Sequence, residues 1–186
     1  PLIKNGERYF YPVPGSLLWA IQPAIERKLN PAMDGSQASN QSFERLGLER
    51  GKLAEEQALA AIGGLFPGAT CHRELYYKPD PTGDRKQFEL DGLVAFDCNL
   101  LFLEIKAGNF TDSAKSGSSR RIRGDVRKLI GDAHGQSERA ASYFLSQDSP
   151  EFRTREGQVV PLDKKRFTEA YCIAVTAEAM DMYQAC

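Results

Sequence analysis

The 186-residue chain has no apolar run approaching the ~18 residues that a membrane-spanning helix needs, and its first residues lack a signal-peptide pattern. Membrane insertion and secretion are therefore both disfavoured. Its four cysteines (Cys71, Cys98, Cys172 and Cys186) make no CxxC pair and have no histidine at ligand spacing. That argues against zinc and for a reducing cytosol, hence a cytoplasmic location. The two histidines, His72 and His134, stand apart from any nucleophile pattern, so no Ser/His/Asp or Cys/His arrangement can be assembled. They read as surface or capping residues. There is no Walker loop, which leaves no case for ATP use, and no internal repeat. An excess of either charge is missing too: 24 Lys and Arg face 25 Asp and Glu, for a net charge of −1 and a pI near 6.2. A chain so balanced has no global attraction to nucleic acid, which disfavours a DNA-coating role but leaves room for a local basic face. The chain starts at Pro1 without a Met, so an excerpt of a longer parent chain is expected.

Two apolar stretches dominate what is present: Phe88-Glu89-Leu90-Asp91-Gly92-Leu93-Val94 and Leu101-Phe102-Leu103-Glu104-Ile105-Lys106-Ala107-Gly108. Each is apolar enough for a buried strand, yet each carries charge. Glu104 and Lys106, two apart, project from one face of a strand. The break at Asp97-Cys98-Asn99 reads as a hairpin turn, which brings Asp91 beside Glu104 or Lys106 according to a one-residue choice of register. An exposed Glu104–Lys106 pair would be the ordinary alternative and would contribute little. Leu100 to Ile105 holds a single non-apolar residue, however, which implies burial on both faces. Two carboxylates and an ammonium on such a face are costly to desolvate, and a divalent cation would offset that cost.

Asp91, a dozen residues, then Glu104-Ile105-Lys106 resembles the signature of the PD-(D/E)XK nuclease superfamily, with Leu90 where the nominal Pro would stand. The resemblance spans roughly Leu48 to Thr176. It implies an α/β fold with a restriction endonuclease-like αβββαβ core, a central mixed sheet flanked by helices. It also implies that Asp91, Glu104 and the carbonyl of Ile105 hold Mg²⁺, with Mn²⁺ as a substitute, and that Lys106 assists hydrolysis. On this reading residues 1–45 are an N-terminal extension and linker, and 46–186 the nuclease-like domain.

Gly51 to Ile62 has a helical pattern, with Ala54, Ala58, Ala61, Ile62 and Leu65 on one face at about 100° per residue. That phase puts Glu55 at the rim of the apolar face and Glu56 nearly opposite, in solvent. The resemblance adds that related nucleases carry a Glu on the first helix in a Gly-x-x-x-Glu spacing, which Gly51 to Glu55 reproduces; Glu55 is then a further metal ligand, direct or through water.

Elsewhere, Tyr9-Phe10-Tyr11 reads as a strand, a helical piece from Ser16 is interrupted at Pro23, and the polar stretch 31–42 reads as a linker. A strand is expected over Cys71 to Tyr77, a turn over Lys78 to Asp84, a long helix over Arg120 to Leu145 and a final buried strand over Tyr171 to Thr176. The long helix carries Ile122, Val126, Leu129, Ile130, Ala133, Ala140 and Phe144 on one stripe, with Gly131 and Gly135 as weak points.

Asn109 to Ser119 is a Gly, Ser and Lys rich loop that runs into Arg120-Arg121-Ile122-Arg123. Arginines at a helix start oppose the helix dipole unless an anion is bound, and a phosphate backbone would supply one. A solvated basic turn is the plain alternative. Lys115, Arg120, Arg121 and Arg123, with Arg127 nearby, are thus candidate DNA contacts, and Gln136 at the edge of the helix stripe is a further one on positional similarity to the superfamily. DNA is preferred over RNA by resemblance alone, and a homodimer is left open. The rivals to a nuclease are a nuclease-like fold that binds nucleic acid or protein without cutting, and an unrelated α/β domain with a buried ion pair.

Overall fold

A computed structural model of the chain describes residues 3–5, 8–10, 38–79 and 86–177. Tyr11, the helical piece from Ser16 and most of the turn after Lys78 lie outside the described residues. Contacts divide the chain into two units, Pro1–Glu49 and Arg50–Cys186. In the first, β1 (Ile3–Asn5) and β2 (Arg8–Phe10) pair antiparallel with Ile3 opposite Phe10. Helix α1 runs from Ala38 to Gly64, so the division falls inside it. Its first turn corrects the linker expected over 31–42: Ser, Asn and Gln read as loop from composition, but Ser and Asn are also favoured where a helix begins.

The second unit is built on β3 (Thr70–Tyr77), β4 (Phe88–Phe96) and β5 (Asn99–Lys106), followed by the one-turn α2 (Asp112–Lys115). A continuous helical stretch comes next: α3 (Ser119–Val126), a π turn (Arg127–Gly131) and α4 (Asp132–Ser146). Two short strands, β6 (Phe152–Arg153) and β7 (Val159–Val160), a 3₁₀ turn (Lys164–Arg166) and β8 (Glu169–Thr176) complete it. The sheet order is β7-β6-β3-β4-β5-β8, antiparallel throughout except that β5 and β8 run parallel. The molecule is thus mixed α/β, with a six-stranded mixed sheet flanked by helices. No described helix is long and apolar enough to cross a membrane.

β4 and β5 are joined by the two-residue turn Asp97–Cys98, with Asp97 at φ 49, a conformation Asp tolerates better than most residues. Alternation along β5 then separates two cores. Leu100 and Phe102 join Leu75, Tyr77, Leu90 and Leu93 against α4 through Ala140, Ala141 and Phe144. Leu101, Leu103 and Ile105 join Val94 against Leu59 of α1. Burial on both faces is why this strand reads as a nearly unbroken apolar run.

Two expected stripes need correction. On α1 the packed residues are Ala54, Ala58, Leu59 and Ile62, whereas Ala61 is exposed and Leu65 is 73% exposed. The helix ends at Gly64, which leaves Leu65 in the following turn, and Leu59 rather than Ala61 completes the face. On the long helix Ile130 is exposed while Leu129 is buried, because the π turn inserts an extra residue and rotates the stripe. Gly131 and Gly135 do not interrupt it.

Candidate active site

The β4–β5 register pairs Gly92 with Leu103 and goes no further, so the ladder stops one residue short of Asp91 and Glu104. Past that point Asp91 takes the place of a strand partner: its carboxylate accepts the Ile105 backbone N–H at 2.7 Å. The N–H and C=O of one strand residue point to the same side, so the Ile105 carbonyl faces the same gap. On the far side β5 remains paired to β8 as far as Lys106–Thr176. The gap is therefore local to the edge where the acids stand.

Glu104 continues the Leu100–Phe102 face toward α4 and is 1% exposed. Lys106, on the same face, donates to Glu104 Oε2 at 3.1 Å. The other oxygen, Oε1, is buried without a donor. Burial, reinforced by the Asp91 carboxylate, pushes the Glu104 carboxyl up to about 8 against the opposing pull of Lys106. The register choice left open by the sequence is thus resolved: Asp91 stands beside Glu104. The exposed-pair alternative fails at Glu104.

Glu55 is drawn in from the opposite face. Gly92 lets α1 lie close over β4, since a Cβ there would come within 3.2 Å of Leu59 Cδ1. Glu55 is one turn ahead of Leu59, half-buried, and its carboxyl is raised by burial first and by Asp91 second. Glu56 is exposed and ion-paired to Arg73. The phase expected for the two glutamates is the one found. Glu55 nonetheless does not complete a three-group centre: no cluster of three or more Asp, Glu, His or Cys side chains fit to hold a metal occurs among the described residues.

A hard cation suits the pair itself. Glu104 has a buried oxygen without a protein donor, its charged form is disfavoured beside Asp91, and the Ile105 carbonyl opens on the same gap; carboxylate and carbonyl oxygens with retained waters are the donor set Mg²⁺ takes. One residue near Glu104, Tyr77, is not signalled by any motif. Tyr77 is buried, and its hydroxyl is pushed up to about 12 by that burial, with Arg139 opposing the rise through its charge and a hydrogen bond and Glu104 adding to it.

The basic candidates lie on the elements that follow β5. Lys115 ends α2, and Arg120, Arg121 and Arg123 lie on α3, all exposed. The segment leaving Lys106 is anchored by Phe110, Ala114 and Leu129, and Asp125 of α3 accepts both the N–H and the hydroxyl of Thr111 at 2.8 Å. These ties fix the basic helix start relative to the β5 end. Gln136 is half-buried with its Oε1 lacking a donor. His134 is exposed and pairs with Glu138 one turn on, and His72 is half-buried. No family model, curated protein or solved structure matches the chain.

Proposed function

We propose that this protein is a metal-dependent nuclease with a restriction endonuclease-like αβββαβ core, cutting phosphodiester bonds of nucleic acid, DNA by preference. The observation that carries the reading is the Asp91–Glu104–Lys106 group at the point where the β4–β5 ladder ends, with the Ile105 backbone facing the same gap. Apart from the short β6 and β7, which come before the parallel strand and extend the sheet beyond β3, the order helix, three antiparallel strands, helix, parallel strand agrees with that core. Asp91, Glu104 and the Ile105 carbonyl would hold Mg²⁺, with Glu55 reaching it through water. The ion would lower the pKa of a bound water and neutralise charge on the scissile phosphate. Lys106 orients the attacking water and stabilises the negative charge that develops on the phosphorane oxygens. Lys115, Arg120, Arg121 and Arg123 hold the phosphate backbone without reading bases.

A metal-free binding module is the second reading, favoured by the absence of a third converging acid among the described residues. Calorimetric titration with Mg²⁺, combined with cleavage of labelled DNA, separates the two. Saturable binding with Mg²⁺-dependent cleavage supports the nuclease; neither, in folded protein, supports the module.

Two further outcomes are expected. Glu55→Gln should weaken Mg²⁺ binding roughly 10-fold, as loss of an outer-shell partner does, while Glu56→Gln leaves it unchanged; equal effects in the titration would refute the phase assigned to α1. Charge reversal at Arg120 and Arg121 should weaken DNA binding alike across sequences and flatten its dependence on salt. A wild-type salt slope in that double variant would remove α3 from the interface.

A further inference from the structure

Residues two apart on a strand share a face, yet β3 and β4 both break this rule at one level. Arg73 reaches Glu56 on α1, while Leu75 lies in the core against α4. On β4, Gly92 faces Leu59 of α1, whereas Leu90 lies in the core against α4. Pairing follows the same break: Arg73 is registered with Gly92 and Leu75 with Leu90, and the register skips Glu74 and Asp91 between them. Glu74 is the residue that turns. Its φ of 49 is left-handed, and the only other non-glycine described residue with a positive φ is Asp97 in the hairpin turn. A regular β4 would carry Asp91 onto a sheet face. The double reversal instead releases its side chain toward β5, where it meets the Ile105 N–H.

The structure assigns to Glu74 the role of positioning residue for Asp91: its left-handed backbone reverses the phase of both strands and aims the Asp91 carboxylate into the β4–β5 gap. This rests on the nuclease reading only for its effect on cleavage. The backbone carries the role, since among the described residues the Glu74 carboxylate makes ion pairs at 3.7 Å to Arg73 and to Arg155, too long to hold a strand in place. A left-handed non-glycine residue beside a candidate catalytic acid is strain held at a functional site.

The test uses the full chain and four substitutions. Glu74→Gln removes charge alone; Glu74→Asn and Glu74→Gly tolerate the left-handed region; Glu74→Val, β-branched, opposes it. The first readout is the Ile105 amide in metal-free protein, by its proton shift and hydrogen exchange, and the second is the cleavage rate at saturating Mg²⁺. Gln, Asn and Gly substitutions should keep the Ile105 signature and the rate. Val should abolish the signature and lower the rate about 10²-fold, as misplacement of a reacting group does, while the Val94 and Leu101 amides stay native. Retention of the Ile105 signature in Glu74→Val overturns the proposal, and so does loss of it in Glu74→Gln or in Glu74→Gly. Should Glu74→Val fail to fold, the Gly and Gln variants alone decide. An Ile105 response as expected in protein that never cleaves DNA would sustain the positioning role and refute the nuclease.

Discussion

Asp91→Asn and Glu104→Gln are each expected to lower Mg²⁺-dependent cleavage by at least about 10³-fold, beyond the roughly 10- to 100-fold loss that follows removal of an outer-shell partner. Both variants should stay folded. Asn keeps an acceptor for the Ile105 N–H, and Gln fills the Glu104 volume without its charge. Their metal-free stabilities should differ from the wild type in a way pH reveals. Glu104 is raised from an ordinary 4.5 to about 8, so between those values the native state holds a proton that the unfolded chain has released. Its favourable contribution is whole below the unfolded value and is lost as pH rises through that window. Wild-type stability should fall there by at most about 1.4 kcal/mol per pH unit, and Glu104→Gln should flatten the fall. The same proton competes with a cation, so apparent Mg²⁺ affinity should rise with pH by up to about tenfold per unit and level off above the Glu104 value. Denaturant unfolding and calorimetry across pH check both slopes. Cleavage at the wild-type rate by either variant would end the assignment of these acids.

If the nuclease proposal holds, Lys106→Ala should lose about 10²-fold or more in rate at saturating Mg²⁺, because on that proposal its charge acts on the attacking water and the developing negative charge. Lys106 also holds down the Glu104 carboxyl from 3.1 Å, so its removal pushes that group further up. The variant should therefore bind Mg²⁺ less tightly near neutral pH and recover affinity, but not rate, in more alkaline buffer. Single-turnover kinetics paired with metal titration at two pH values separates the effects. Recovery of the full rate at high pH would make Lys106 only an electrostatic partner of Glu104.

What the sequence makes legible here is what period and residue type control. The β5 run from Leu100 to Ile105, the hairpin at Asp97–Cys98 and the orientation of Glu55 against Glu56 all follow from alternation or helical phase. So does the grouping of Asp91, Glu104 and Lys106, once Gly92–Leu103 pairing selects between the two registers. The final strand forms where expected but is not buried as its apolar run suggested: β8 is an edge strand, so its residues are half-buried and Tyr171 is exposed. β6 and β7, two residues each, are too short to carry a period. The π turn hides inside an otherwise regular helical stripe, since its extra residue shows only in Ile130 facing outward. The reversal at Glu74 has no such signature: Leu90 and Leu93 are both buried although three apart, but on a sheet covered on both faces residues of either parity are buried, as adjacent Leu93 and Val94 are. Tyr77 near Glu104 depends on packing between strands that are distant in sequence, and no local pattern announces it.

The Asp91 carboxylate accepting the Ile105 N–H has an evolutionary consequence. Asp91 belongs to the hydrogen-bond accounting of the sheet as well as to the site, whereas Glu104 satisfies no backbone group and is held in the core only against the cost of its burial. Selection acts on the two acids through different losses. Under the nuclease proposal, a descendant lineage released from cleavage should drift quickly at position 104, toward Leu or Met, which suit the surrounding core. At position 91 it should keep Asp or Asn long after the chemistry had gone. Retained Asp91 in a homologue would therefore be a poor sign of activity, and retained Glu104 a good one.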